Sequence, residues 1–344
     1  MKVLFVSGIY LPASGGAEHS IHTLLKELRY TGHQIRVLTG ISPLAVKNSE
    51  NMNGVDVLRI NENDLISKLQ QAISDFDPDY IFTQLMWSER VLAIGKRLNK
   101  KVVYFVRSIG SKLEIDESNM PFVMVANSPV TREFVREKWG VEPILLPPLV
   151  DPTDYVTDNF THKNLNEDFI TLFNPIIEKG GQIFKEIARA MPHRKFLAVE
   201  GWHQWKDPTT NTWDIERLKS NAKAFGGDLQ IPVETDFGDL KNVQIQKSVR
   251  DVRPIYSRSR LILVPSIWQE SFSRVALEGQ MNGIPVIGSD VGSLPETIGD
   301  GGVVVKDYEN PNEWVRIIND LDNENVYNKL SKSALEMAER YDYK

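Results

Sequence analysis

Residues 265–296 read PSIWQESFSRVALEGQMNGIPVIGSDVGSLPE. The run Leu261–Pro265 just before them, LILVP, has the continuous apolar character of a strand buried on both faces. It runs into a loop that opens a helix, with Ser271, Phe272 and Ser273 at the helix start. The first backbone N–H groups of a helix have no intrahelical partner, and together with the positive end of the helix dipole they suit a phosphate. Gly283 ends the helix, Pro285–Ser289 is the next strand, and a glycine turn follows at Gly292. Glu270 in the loop and Glu278 in the helix lie eight positions apart. They flank that cradle, one toward a polar ligand at the loop and one deeper along the helix.

Outward from this stretch, the chain repeats one architecture twice. Val3–Ser7 is an apolar strand, a loop with Pro12, Gly15 and Gly16 follows, and Ile21, Leu24, Leu25 and Leu28 give the apolar face of a helix that Gly32 ends. Ile35–Thr39 is the next strand. This strand–loop–helix–strand unit is of the α/β type. The Gly15-Gly16 pair lets backbone approach a ligand at a helix N-terminus, but it is not the G-x-G-x-x-G of dinucleotide binders. Further strands are expected at Val55–Ile60, Tyr80–Thr83, Val102–Val106, Phe122–Ala126 and Ile144–Leu146, with helices near 64–74, 88–99 and 129–138. Pro147–Asp168 has no clear period and reads as a linker. A second α/β unit begins at the strand Phe169–Phe173 and includes the loop Asn174–Gly181, a helix with Ile183, Phe184, Ile187, Ala188 and Met191 inward, and the strand Phe196–Val199. After a strand at Val303–Val305, helices at Pro311–Leu321 and Val326–Arg340 close the chain. The expected domains are therefore 1–150 and 151–344.

The 344 residues, 41% hydrophobic and 25% charged, suit a globular protein of about two domains. The net charge of −6 argues against a nucleic-acid partner. No apolar run approaches the length of a membrane span. With no cysteine there is neither a disulfide framework nor thiolate chemistry, which fits the cytoplasm. The basic run Lys96–Lys101 suits at most a weak peripheral contact with an anionic membrane surface, such as the inner face, and serves more simply as a solvated helix end. Asp75-Phe76-Asp77-Pro78-Asp79 contains D-x-D twice, a pattern that elsewhere holds a hard cation, but Pro78 marks it as a turn. His19 and His22 sit one helical turn apart with no third ligand at metal spacing, so no metal site is expected. Trp202, Trp205 and Trp213 lie in a polar loop, where they pack locally or stack on a sugar.

The 265–296 stretch resembles the E-x7-E region of retaining glycosyltransferases of the GT-B fold, the family-4 or "group 1" glycosyltransferases. The resemblance rests on Pro265-Ser266, Glu270, Phe272, Arg274, Glu278, Gly283, Pro285-Val286, Gly292 and Pro295-Glu296 in order. Gly15-Gly16-Ala17-Glu18 followed by Gly32-His33 resembles the same family's opening, where the glycine loop sits opposite the donor diphosphate. The loop 174–181 resembles its arginine…glutamate-lysine-glycine segment, with Lys179 matching and Asn174 at the arginine position.

This resemblance implies two Rossmann-like doubly wound domains facing across a cleft, with the last helix (about 326–344) packing back toward the first. It implies sugar transfer from a nucleotide-diphosphate sugar, UDP- or GDP-linked, to an acceptor hydroxyl with retention, and no cofactor or metal. The acceptor, whether a sugar, a lipid-linked molecule or a small molecule, stays open. The implied site residues are Lys179 and Arg274 on the diphosphate, Glu270 on the sugar hydroxyls and Glu278 on the ribose. Gly15, Gly16, Asn174, Phe272, Ser273 and Val275 would line the donor site. Arg274 is expected to replace the missing arginine, its fork engaging two phosphate oxygens beside Lys179.

The chain departs from the family at Ser271 and Ser273, where glycines are usual, at Asn174, and at Arg107-Ser108, where a histidine is common. These departures motivate a second reading, a catalytically silent GT-B protein that binds a nucleotide sugar or a partner enzyme.

Overall fold

The computed structural model describes residues 1–12, 15–42, 44–157, 169–201, 206, 214–216, 218–219 and 232–342. Trp202, Trp205 and Trp213 lie outside the described residues. The chain divides into two compact units, the first taking Met1–Leu149 and the second starting at Val150. The described residues of 204–231 group with the first.

The first unit is built on an eight-stranded sheet in the order β3-β4-β2-β1-β5-β6-β7-β8. Its strands are β1 (Lys2–Ser7), β2 (Gln34–Gly40), β3 (Ser49–Met52), β4 (Val55–Ile60), β5 (Tyr80–Gln84), β6 (Val102–Val106), β7 (Val123–Ala126) and β8 (Ile144–Leu145). All pair in parallel except β3, which runs antiparallel to β4 through a turn at Asn53 and Gly54, both left-handed. The helix Gly16–Tyr30 lays Ile21 and Leu25 on one face of the sheet, against Phe5, Val37 and Phe105. These side chains alternate along each strand with the period of two that a pleat imposes.

The second unit carries six parallel strands in the order β11-β10-β9-β12-β13-β14. They are β9 (Phe169–Phe173), β10 (Lys195–Val199), β11 (Val243–Gln246), β12 (Ser259–Val264), β13 (Val286–Ser289) and β14 (Gly302–Val305). Strand β12 shows why an unbroken apolar run is needed. Leu261 and Leu263 face a core with Phe184 and Trp314, while Ile262 and Val264 face another with Leu277 and Ile298. The last helix, Glu324–Glu339, packs on the helix Arg274–Met281 of its own unit, and Ser331 Oγ donates to Gly283 O at 2.6 Å. No helix among the described residues is long and apolar enough to cross a membrane.

Candidate functional site

The order of the second sheet reverses between β9 and β12. In an open parallel sheet this reversal splays the two following loops to opposite faces and leaves a crevice at the carboxyl ends of the strands. The loops here are Asn174–Gly180 and Pro265–Ser273, the two segments singled out in the sequence.

They are fastened together by backbone. The carbonyl of Glu178 accepts from the N–H groups of Ile267 and Trp268, both at 3.1 Å, and from Ser266 Oγ at 3.2 Å. Gly180 has φ +79°, and a Cβ there would lie 1.8 Å from Pro265 O, so only glycine permits this approach. The closure brings Lys179 Nζ to 2.7 Å from Glu270 Oε1. Glu270 is held from behind, since Ser293 N–H donates to its carbonyl at 2.8 Å. Gly292, at φ +54°, passes so close that a Cβ would sit 2.2 Å from the same oxygen. A buried carboxylate is thereby aimed along a fixed direction, with a cation beside it.

Asn174 closes β9 in a left-handed conformation, φ +58°. Its N–H donates to Val199 O at 2.7 Å and its carbonyl accepts from Ile176 N–H at 2.8 Å. A residue that tolerates this turn stands where the resemblance expects a cation. Ser273 caps the helix Arg274–Met281, its hydroxyl accepting from Ala276 N–H at 3.4 Å. Phe272 meets the Tyr341 ring edge-on at 5.4 Å, and Val275 packs against the β12–β13 core.

Arg274 departs from expectation. It is buried, its Nε donates to Glu278 Oε1 at 3.1 Å, and an Nη donates to the Tyr155 hydroxyl at 2.8 Å. The guanidinium also lies over the Tyr155 ring, 5.3 Å from its centroid. An arginine one turn before a buried glutamate pairs with it inside the helix packing, and here its Nε and one Nη face Glu278 and Tyr155. The second oxygen of Glu278 accepts from the Tyr256 hydroxyl at 2.7 Å. Burial raises the Glu278 carboxyl above the usual range, against the pull of Arg274 and Tyr256. Tyr155 is fixed in turn, its carbonyl accepting from Asn282 Nδ2 at 3.1 Å. No spacing rule announces Tyr155 or Tyr256, because one reaches Arg274 and the other Glu278 through tertiary packing.

Gly15 and Gly16 belong to the first unit. Gly15 is the N-cap of the Gly16–Tyr30 helix, and its carbonyl accepts from His19 N–H at 3.1 Å. The Glu18 carboxylate folds back onto it, so close that a Cβ on Gly15 would meet Oε2 at 2.4 Å. The anion at this helix N-terminus is thus a side chain of the chain itself. Burial pushes the Glu18 carboxyl up to about 7, opposed by its own backbone N–H and by Arg107. Arg107 Nε donates to Gln84 Oε1 at 3.0 Å.

The remaining candidates resolve as structure. Asp77 is left-handed and pairs with Lys100 at 2.6 Å, while Asp79 accepts from Lys2 N–H at 2.7 Å. His22 is buried between the Tyr10 hydroxyl at 2.6 Å and Asn53 at 3.3 Å, and burial lowers its ring to about 4. Among the described residues, no three His, Cys, Asp or Glu side chains gather as a metal site. In the basic run, Lys101 Nζ lies over the Phe122 and Tyr80 rings at 5.2 and 5.4 Å.

Residues 236–337 match the family model "Glycosyl transferases group 1". Spore coat protein SA of Bacillus subtilis is 38% identical over 74 residues, which is 21% of this chain and 20% of the relative. A D-inositol 3-phosphate glycosyltransferase of Corynebacterium kroppenstedtii is 31% identical over 121 residues, covering 32% and 26%. The matches thus span about a fifth to a quarter of these relatives' length. The fold extends further. Sucrose-phosphate synthase from Thermosynechococcus elongatus superposes with a TM-score of 0.75 at 17% identity, over 98% of this chain and 94% of that one. The Anabaena protein Alr3699/HepE, solved with UDP-glucose, gives 0.69 at 18% identity, over 99% and 95%. The chain has the two-domain GT-B glycosyltransferase fold, and its second unit carries the group 1 glycosyl transferase signature at residues 236–337.

Proposed function

We propose that this chain is an enzyme that transfers a sugar from a nucleotide-diphosphate donor to an acceptor hydroxyl with retention of anomeric configuration. The observation that carries the reading is the Lys179–Glu270 pair at the β9/β12 reversal, 2.7 Å apart and held by Gly180 and Gly292. Breaking an anomeric C–O bond needs a cation and N–H donors on the departing phosphates, and acceptors that orient the sugar as its ring becomes cation-like. Lys179 supplies the first, with the N-terminus of the Arg274–Met281 helix behind it. Glu270 accepts from sugar hydroxyls once a phosphate draws Lys179 away. Glu278, whose two oxygens are steered by Arg274 and Tyr256, offers its remaining lone pairs to the ribose. No protein nucleophile is invoked, and retention follows from attack on the face the leaving phosphate occupied.

Diphosphate charge met by Lys179 and backbone donors makes a metal unnecessary. A UDP-sugar is the first donor to test, because a neighbour in fold was solved with UDP-glucose. The acceptor is a sugar, lipid-linked or small-molecule hydroxyl. Contact with an anionic membrane face would run through Lys96–Lys101, and a cytoplasmic setting suits such a donor.

The test is a thermal-shift screen of nucleotides and nucleotide sugars, followed by donor hydrolysis without acceptor. A bound ligand raises stability by RT ln(1 + [L]/Kd), about 2.7 kcal/mol at a hundredfold excess over Kd. A shift with UDP or GDP and slow release of sugar from one donor supports the enzyme. No shift with any nucleotide overturns the reading, and binding without turnover leaves the silent binder.

A further inference from the structure

The chain leaves Leu149 in the first unit and enters the second at Val150. The segment that follows is no free tether. Val150 and Tyr155 are buried in the core that holds Leu277 and Ile298. Asp151 caps the short turn Pro152–Asp154, its carboxylate accepting from Thr153 N–H at 3.1 Å. Asn282, just past the helix Arg274–Met281, clasps the segment with both ends of its amide. Its Nδ2 donates to Tyr155 O at 3.1 Å, and its Oδ1 accepts from Thr157 N–H at 3.2 Å. The same Nδ2 donates to Glu278 O at 2.9 Å. The phenol of Tyr155 is therefore delivered to a fixed place beside the helix that carries Arg274 and Glu278.

That placement divides the arginine fork. Nε and Nη2 of a guanidinium point the same way and clasp both oxygens of a carboxylate when nothing intervenes. Here Nε donates to Glu278 Oε1 at 3.1 Å, but Nη2 donates to the Tyr155 hydroxyl at 2.8 Å. The Tyr155 ring supports the split, with its centroid 5.3 Å from Arg274 Cζ. Glu278 Oε2 accepts from the Tyr256 hydroxyl instead. Among the described residues, each oxygen of Glu278 thus takes one donor and keeps a lone pair. Two acceptors a carboxylate's width apart match the neighbouring hydroxyls of a ribose.

We propose that Tyr155 is a positioning residue for nucleotide binding: its hydroxyl holds Arg274 Nη2 away from Glu278 and so keeps that carboxylate open to a vicinal diol. The inference rests on the ribose role of Glu278 proposed above. Tyr155 touches no ligand itself and acts through Arg274. Without the hydroxyl the fork closes on both oxygens of Glu278, and the lone pairs meant for the ribose are taken by the guanidinium. The closed pair replaces the lost bond to Tyr155, so the fold keeps most of its stability while the ligand loses its acceptors.

The experiment is isothermal titration of the full chain and of Tyr155→Phe, which keeps the ring beneath Arg274. The ligands are the nucleoside diphosphate that shifts the melting curve, UDP or GDP, and its 2′,3′-dideoxy analogue, which lacks the ribose hydroxyls. The parent should prefer the natural nucleotide by about tenfold or more, the scale of hydrogen bonds to a charged acceptor. Tyr155→Phe should lose about fivefold or more for the natural nucleotide and under about twofold for the analogue, with Tm within about 4 °C of the parent. Equal losses for the two ligands, from instability or otherwise, mark a structural role and overturn the proposal. A parent that binds both ligands equally, or binds neither UDP nor GDP, sinks the ribose role of Glu278 and the proposal with it. A parent that separates the ligands, beside a variant that separates them equally well, sinks the proposal alone.

Discussion

Arg274→Met separates the two roles open to this arginine. Its side chain and that of Glu278 are 8% and 10% exposed, and they share one hydrogen bond while Tyr155 holds the far side of the guanidinium. Removing one partner of a buried ion pair leaves the other as an uncompensated charge, at about 3–5 kcal/mol. The lost hydrogen bond to Tyr155 adds about 1 kcal/mol. Against a total stability of about 5–15 kcal/mol, this is a large fraction. An arginine reserved for a diphosphate would behave oppositely, leaving stability near the parent and slowing turnover about a hundredfold. The assay is equilibrium urea unfolding, read on the transition of the second unit, for the parent, Arg274→Met, and Arg274→Met with Glu278→Gln. The double variant removes the stranded charge and keeps an acceptor for Tyr256, so it should regain more than half the loss. The single variant's deficit should also shrink at acid pH, where Glu278, already raised by burial, takes up a proton. A loss under about 1 kcal/mol, or a double variant no better than the single, would refute the buried-pair account.

Two further outcomes follow from the same geometry. The Glu18 carboxyl stands at about 7 in the fold against an ordinary 4.5, so its contribution is full below the lower value and fades as pH rises through the upper. At about 1.4 kcal/mol per pH unit of that gap, the loss above pH 8 is about 3 kcal/mol. Glu18→Gln should flatten this slope in a series of unfolding curves between pH 4.5 and 8, and an unchanged slope would move the titration elsewhere. Gly180→Ala places a methyl 1.8 Å from Pro265 O at φ +79°, so it should cost about 3 kcal/mol and abolish the thermal shift with UDP; a variant of parental stability would show that the loop contact is dispensable.

Much of this was legible in the sequence, because parallel strands buried on both faces write themselves as apolar runs. Val102–Val106 and Phe169–Phe173 were bounded to the residue in this way, and Val55–Ile60 was too, although its Asp56 and Leu58 are exposed. Strand β3 was not, since Ser49–Met52 is an exposed edge with no apolar face, although the Asn53-Gly54 turn beside it was a readable hairpin signal. Glu270 could be named from its place in the loop that opens a helix, and Lys179 from the resemblance of its loop to the family's glutamate-lysine-glycine segment. Their pairing depends on a backbone approach at Gly180 that no local pattern states. The surroundings of Arg274 were hidden for a related reason. Its position at a helix start suggests an outward fork, but burial of that turn against Tyr155 turns the fork inward. Tyr256 lies 22 residues from Glu278, and only the packing of the helix Arg253–Tyr256 brings its hydroxyl there.

The account rests most directly on Lys179 holding a diphosphate at the reversal of the second sheet. Isothermal titration of UDP into the parent and into Lys179→Met, in the presence of EDTA, measures this without an acceptor. The account predicts binding by the parent without metal and a loss of about tenfold or more in the variant, the scale of one charge-assisted hydrogen bond at about 1.5–3 kcal/mol. Equal affinity in the two proteins, or binding that appears only when a divalent metal is restored, would contradict it.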